Sequence, residues 1–130
     1  MVRVAGLVVV AAVLLVPRGA AASTDVAIDI HYSRFQPSVI TVPRGVPVTI
    51  VLRNGDPIDH EWIVGTADVH ARHRTGTEPL HDSRPTEVTV QVGTVRTTVV
   101  TFREARTLQY VCHVPGHEQY GMVGLVRVVP

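Results

Sequence analysis

The sequence predicts an all-β domain, built as an antiparallel β-sandwich of seven or eight short strands. Apolar residues alternate with polar ones over short segments, as in strands that bury one face. Glycine, proline and asparagine residues that favour turns separate these segments. No sustained helical periodicity interrupts the pattern, and short strands joined by turns are typical of a sandwich.

Each predicted strand is rich in β-branched residues or alternates apolar and polar residues. Val26, Ile28 and Ile30 show this alternation at the start of the domain. Pro47 stands near the start of the third strand, so this strand lies at a sheet edge or Pro47 is among its first residues. In chain order, the predicted strands are Asp25–Ile30, Val39–Val42, Val46–Leu52, Glu61–Val64, Glu87–Val92, Arg96–Phe102, Leu108–Cys112 and Val123–Val129.

A long polar connection, Gly65–Pro85, separates two of these strands. Its periodicity is weak, although a short helix near Asp68–Arg74 is compatible with it. Three imidazoles and a carboxylate in this connection could bind zinc or copper(II) as a second metal site. A solvated polar loop is the alternative, since the spacing of the four residues matches no established ligand pattern. The four residues are His70, His73, Glu78 and His81.

Residues 1–22 have the features of a secretory signal peptide. Arg3 precedes the uncharged apolar run Ala5–Val16, and Ala20–Ala22 offers small residues for cleavage before Ser23. Twelve apolar residues are too few for a membrane-spanning helix, which needs roughly 17–25. An uncleaved anchor is the alternative. The expected mature protein is one exported domain, residues 23–130, in the periplasm or outside the cell.

The charge of this mature domain is close to neutral. Loss of Arg3 and Arg18 with the signal leaves ten arginines against eleven carboxylates. Without a basic field, neither nucleic acid nor an anionic membrane surface is an expected partner. We expect a monomer with no membrane span after cleavage.

Three potential metal ligands stand close together near the C-terminus. Cys112, His117 and Met122 occur within eleven residues, and four residues separate each from the next. Two histidines and a cysteine with a distant methionine are the ligand set of blue-copper electron carriers. His60, about fifty residues upstream, is the candidate for the second histidine. Cys112 is the only cysteine, so it has no partner for an internal disulfide.

Each of these residues also has an ordinary structural role. A single cysteine is often a small buried hydrophobic residue, a methionine beside a strand usually belongs to the core, and a histidine after Pro-Gly is usually a turn residue. Their joint spacing favours the metal site. His113 directly follows Cys112, so on a strand its side chain points to the opposite face and we do not expect it to be a ligand. His31 has no partner nearby in the sequence.

These residues make the chain resemble the cupredoxins, the small blue-copper proteins that include plastocyanin, azurin and the phytocyanins. The segment FQPSVITVPRGVPVTIVLRNGDPIDHEW looks like the family's opening strands, and the cysteine–histidine–methionine loop is similar to the family's signature. The resemblance covers nearly all of residues 23–130. It implies a Greek-key β-sandwich that binds one type 1 copper ion, with His60, Cys112 and His117 as equatorial ligands and Met122 as the axial ligand.

The resemblance also implies a function, one-electron transfer to and from transient redox proteins, with no enzymatic activity. Pro115, Gly116 and Gly121 would then form part of the docking surface around His117. Copper delivery, storage or sensing is the alternative, and the histidine-rich connection favours it. Three further functions are less favoured alternatives. A copper enzyme would need further copper centres, and an enzyme with Cys112 as its nucleophile would work without a metal. A structural adhesion domain would not bind copper at all.

Overall fold

The computed structural model describes residues 24–77 and 82–130, which form two β-sheets and one helix. The first sheet has the strand order β2-β1-β4-β7, and the second has the order β3-β9-β8-β5-β6. The predicted β-sandwich is confirmed. The elements are β1 (Thr24–His31), β2 (Arg34–Gln36), β3 (Val39–Pro43), β4 (Pro47–Asn54), β5 (His60–Gly65), α1 (Ala67–Thr75), β6 (Glu87–Val90), β7 (Val95–Thr101), β8 (Thr107–Val111) and β9 (Val123–Val129).

The strand pairing differs from the prediction in one respect, since the sheets are mixed. β1 pairs in parallel with β4, and β3 pairs in parallel with β9, whereas the other pairs of named strands are antiparallel. After β2 the chain crosses to the second sheet for β3 and returns to the first sheet for β4. Such crossovers allow parallel neighbours, which a hairpin cannot connect. The three-residue β2 is the strand that sequence patterns did not predict.

The core lies between the two sheets and follows the predicted alternation. Ile28 and Ile30 of β1 are buried, and the residues between and beside them are exposed. Trp62 of β5 and Tyr110 of β8 are the largest fully buried side chains. Tyr110 lies opposite Gly124 of β9, where any side chain would collide with the tyrosine ring. Glycine at this position therefore lets β8 and β9 pair closely beside the buried ring.

Two local predictions are confirmed. Pro47 is the first residue of β4, where its missing N–H removes no interior ladder bond. The short helix is present as α1, which ends at Gly76 in the left-handed conformation that glycine adopts without strain. No helix within residues 24–77 and 82–130 is long and apolar enough to cross a bilayer. The predicted signal, residues 1–22, lies outside the described residues.

Candidate metal centre

The second sheet brings the four predicted ligands to one end. His60 is the first residue of β5, Cys112 directly follows β8, and Met122 directly precedes β9. Because β8 is antiparallel to both β5 and β9, its end lies beside the starts of those two strands. His117 lies in the loop that joins β8 to β9. Residues separated by more than fifty positions thus meet only because of the sheet pairing.

Three ligand atoms converge in a buried position. Nδ1 of His60 lies 3.2 Å from Nδ1 of His117, and Sγ of Cys112 lies 3.4 Å from the His117 nitrogen and 3.9 Å from the His60 nitrogen. The centre of a triangle with these sides lies about 2 Å from each atom, close to the roughly 2.0–2.3 Å of metal–nitrogen and metal–sulfur bonds in zinc sites. A first-row transition-metal ion fits this space, and the donor set suits copper.

No other group of three histidine, cysteine, aspartate or glutamate ligand atoms within residues 24–77 and 82–130 converges in this way. His60 and Cys112 are fully buried, whereas His117 is 8 % exposed to solvent. The histidine of the loop is therefore the ligand nearest to solvent.

The β8–β9 loop holds its ligands through backbone hydrogen bonds. The N–H of Met122 donates to the carbonyl of His117 (3.0 Å), and the N–H of Cys112 donates to the carbonyl of Met122 (3.2 Å). Met122 itself is fully buried and belongs to the same core cluster as Cys112. Gly116 and Gly121 adopt positive φ angles of 88° and 87°, which favour glycine and let the loop turn twice. Main-chain hydrogen bonds thus tie three of the four predicted ligands, Cys112, His117 and Met122, to one another.

The protein environment keeps the thiol of Cys112 protonated when no metal is bound. Burial raises the pKa of Cys112, and the backbone N–H groups of Glu61 and Val114 only partly offset this effect. The N–H of Glu61 donates to Sγ across 3.4 Å. Burial lowers the pKa of His117, so its imidazole is neutral at pH 7 and has a lone pair for a metal. Metal binding to this site must therefore displace the thiol proton.

The loop before His60 contains two polar residues, Asn54 and Asp56, that support this predicted ligand. The amide nitrogen of Asn54 donates to the carbonyls of Ile58 (2.8 Å) and Val90 (3.0 Å), and its oxygen accepts from the N–H of Asp56 (2.9 Å). The carboxylate of Asp56 lies 2.9 Å from Nε2 of His60. Because an ionised carboxylate only accepts, this contact favours the His60 tautomer with its proton on Nε2, which leaves the Nδ1 lone pair facing Cys112 and His117.

Sequence reasoning missed these roles because the Asn-Gly-Asp-Pro run predicts only a turn. The available signal was a carboxylate four residues before a candidate histidine ligand, Asp56 before His60. A second missed contact is that of His31, whose Nδ1 lies 3.4 Å from the carboxylate of Asp56.

His113 lies outside the converging group and contacts α1 instead. Its Nε2 lies 3.0 Å from Nδ1 of His70, and its ring stacks on that of His73 with centroids 5.3 Å apart. Burial lowers the pKa of His113 to about 4 and also lowers the pKa of His70. These three buried imidazoles join α1 to the residue after Cys112.

The proposed second metal site remains a prediction. His70 and His73 lie on α1 and contact His113, whereas Glu78 and His81 lie outside the described residues. A further contact between α1 and the ligand loop is the ion pair of Arg74 with Glu118, in which the guanidinium Nε donates to the carboxylate across 2.9 Å.

The chain is similar to several known proteins. The family described as "Cupredoxin-like domain" matches residues 4–114. The chain is 37 % identical over 98 residues to the "Copper-resistant cuproprotein CopI" of Rubrivivax gelatinosus, covering 73 % of this chain and 59 % of that protein. It is 28 % identical over 145 residues to the protein of the same name from Pseudomonas aeruginosa, covering 87 % of this chain and 80 % of that protein.

Among solved structures, the dithionite-reduced auracyanin of Roseiflexus castenholzii superimposes with a TM-score of 0.69. The two are 23 % identical, and the match covers 84 % of this chain and 99 % of the auracyanin. At this identity the likeness concerns the fold. The chain spans about three fifths of the length of the Rubrivivax relative, 59 %.

Proposed function

Because the chain belongs to the cupredoxin-like domain family, we propose that it carries single electrons through one type 1 copper ion held by His60, Cys112, His117 and Met122. The convergence of two Nδ1 atoms and one Sγ atom in a buried position carries this proposal. Bound copper supplies a one-electron change between its +1 and +2 states. The chain is an exported copper protein in this proposal, and it is not an enzyme, because four protein ligands leave little room for a substrate.

The scaffold supports electron transfer because it places the ligands before a metal binds. His60 and Cys112 are anchored at strand ends, and the main-chain bonds of Met122 restrain the loop. Ligands held in this way need little movement when the charge of the bound ion changes, which keeps the reorganisation of the site small.

The surface around His117 supports transfer to a partner protein. His117 is the most exposed of the four predicted ligands, and Pro115 and Gly116 precede it in the loop. The ring of Tyr120 lies near Gly116, and Tyr120 is 68 % exposed, which adds an apolar side chain to the predicted docking surface. Such a patch suits the small, transient interfaces of redox proteins, here between a monomer and its partner.

The visible absorption spectrum of residues 23–130 after addition of one equivalent of copper(II) tests the site. We expect an intense thiolate-to-copper charge-transfer band that disappears in Cys112→Ala and persists in His31→Ala, a control that removes a histidine outside the ligand set. A colourless protein that still binds copper would refute a type 1 site, and absence of copper binding would refute the copper function.

Copper delivery or storage is the second candidate, because the relatives in Rubrivivax and Pseudomonas are named as copper-resistant cuproproteins. The two candidates differ in how firmly the metal is held. A reversible couple by voltammetry, with negligible loss of copper(I) to a chelator over hours, supports electron transfer. Rapid transfer of copper(I) to the chelator supports delivery.

A further inference from the structure

Asp56 is a buried acidic residue beside the metal centre, and no predicted ligand role explains it. Its side chain is 6 % exposed. Carboxylate oxygens accept hydrogen bonds from the backbone N–H groups of Tyr32 (2.7 Å) and Ser33 (2.8 Å), and Oδ2 lies 2.9 Å from Nε2 of His60. Nδ1 of His31 lies 3.4 Å from Oδ1. Four groups from two segments thus surround one carboxylate.

These contacts favour the charged form of Asp56. The backbone N–H groups of Tyr32 and Ser33 both donate to this buried side chain, and such hydrogen bonds stabilise a carboxylate relative to the neutral acid. The turn between β1 and β2 aims both N–H groups at the carboxylate. Tyr32 and Ser33 have positive φ angles of 52° and 51°, an uncommon conformation for residues other than glycine.

We infer that Asp56 is a positioning residue that fixes His60 for metal binding and lowers the reduction potential of the centre. This inference depends on the copper site proposed above. The carboxylate holds the proton of His60 on Nε2, so Nδ1 presents its lone pair to the metal. Its fixed negative charge acts across one imidazole ring in a buried region, where charge interactions are stronger than in water.

The sign of the effect follows from charge alone. A fixed negative charge favours the more positive copper(II) state over copper(I), so the potential falls when the charge is present. Hydrogen bonding to a carboxylate also makes the imidazole a stronger electron donor, which acts in the same direction. Removing the charge while keeping the shape of the side chain must therefore raise the potential.

The variant Asp56→Asn tests the inference, with Asp25→Asn as its control. Both substitutions change the net charge equally, but Asp25 lies near the far end of β1, about 20 Å along the strand from His31. We expect Asp56→Asn to shift the copper(II)/copper(I) equilibrium at least tenfold toward copper(I), which corresponds to about 59 mV in a one-electron couple. Asp25→Asn should leave the potential close to that of the unchanged protein.

An unchanged or lower potential in Asp56→Asn, or an equal rise in Asp25→Asn, would overturn the inference. Circular dichroism checks that each variant folds. If Asp56→Asn does not fold, Asp56→Ser replaces it. The amide NH2 of asparagine could face the backbone N–H groups of Tyr32 and Ser33, which are also donors, whereas the smaller hydroxyl of serine is neutral and can accept from them. The same upward shift is expected.

A measurement on the metal-free protein separates this inference from the copper proposal. Nitrogen-15 NMR should show the proton of His60 on Nε2, and this proton should exchange faster with water in Asp56→Ser. A proton on Nδ1 of His60 would overturn the positioning role. If the copper proposal itself is wrong, the protein without any substitution will show no voltammetric couple after copper is added.

Discussion

Individual side chains at the metal centre combine ligand chemistry with core packing. Cys112 and Met122 are both fully buried members of the hydrophobic core cluster. Each of these two residues therefore has both a packing role and a proposed ligand role. A substitution that shortens the side chain would remove both at once and could not tell which role matters. A volume-conserving change at the sulfur atom is needed to separate packing from ligation.

The variant Met122→Leu makes this separation. Leucine keeps most of the buried volume, so we expect a loss of less than about 1.5 kcal/mol in the free energy of unfolding. Loss of the thioether removes an axial donor, and the reduction potential should rise because copper(II) loses more from this than copper(I) does. Urea denaturation and voltammetry check the two expectations. An identical spectrum and potential would show that Met122 is a core residue only.

At the level of elements, α1 joins the ligand loop to the second sheet. Nδ1 of His70 contacts Nε2 of His113, the residue after Cys112, and Arg74 binds Glu118, the residue after His117. Each of these contacts from the helix thus reaches a neighbour of a predicted ligand. A polar connection that looked like a solvated loop in the sequence therefore supports the loop of the metal centre.

The buried imidazole of His70 predicts a pH dependence of stability. Burial lowers its pKa in the folded protein, with a further contribution from Arg74, and the backbone of Gln109 and Gly65 and the carboxylate of Glu118 oppose this. Between the ordinary imidazole pKa of about 6.5 and the lower folded value, the unfolded chain binds the additional proton. The free energy of unfolding should therefore be highest above pH 6.5 and decrease as the pH falls below it.

Urea denaturation of the metal-free protein between pH 7.5 and 5.5 measures this slope. We expect a shallower slope in His70→Gln, which cannot take up the proton. The control Thr75→Ser, a conservative substitution on the same helix, should leave the slope unchanged. Equal slopes in His70→Gln and the unchanged protein would contradict the assignment.

For the whole molecule, folding and metal binding are linked, because no single segment contains the site. His60 reaches Cys112 and His117 only through the pairing of β5 with β8. The unfolded chain has the ligands of the loop but separates His60 from them by more than fifty residues. Metal that binds the folded state more tightly must therefore stabilise it.

Copper(I) held at a free concentration 100 times its dissociation constant should raise the free energy of unfolding by about 2.7 kcal/mol, less any binding to the unfolded chain. Anaerobic denaturation in a buffered copper(I) solution measures the increase. Cys112→Ala should lose most of it. Equal stabilisation of that variant would place the bound metal elsewhere, with the histidines of the 65–85 connection as the first alternative.

Residue patterns alone were enough to predict most of the strands and the candidate ligands. The alternation of residues such as Ile28 and Ile30 indicates which side of a strand is buried. The spacing of Cys112, His117 and Met122 indicates that one loop carries all three. Both patterns lie within short segments of the chain. Three features became apparent only in the folded protein: the mixed sheets, the carboxylate of Asp56 beside His60, and the contact of His70 with His113. These depend on which distant segments pair, and local periodicity carries no information about that pairing.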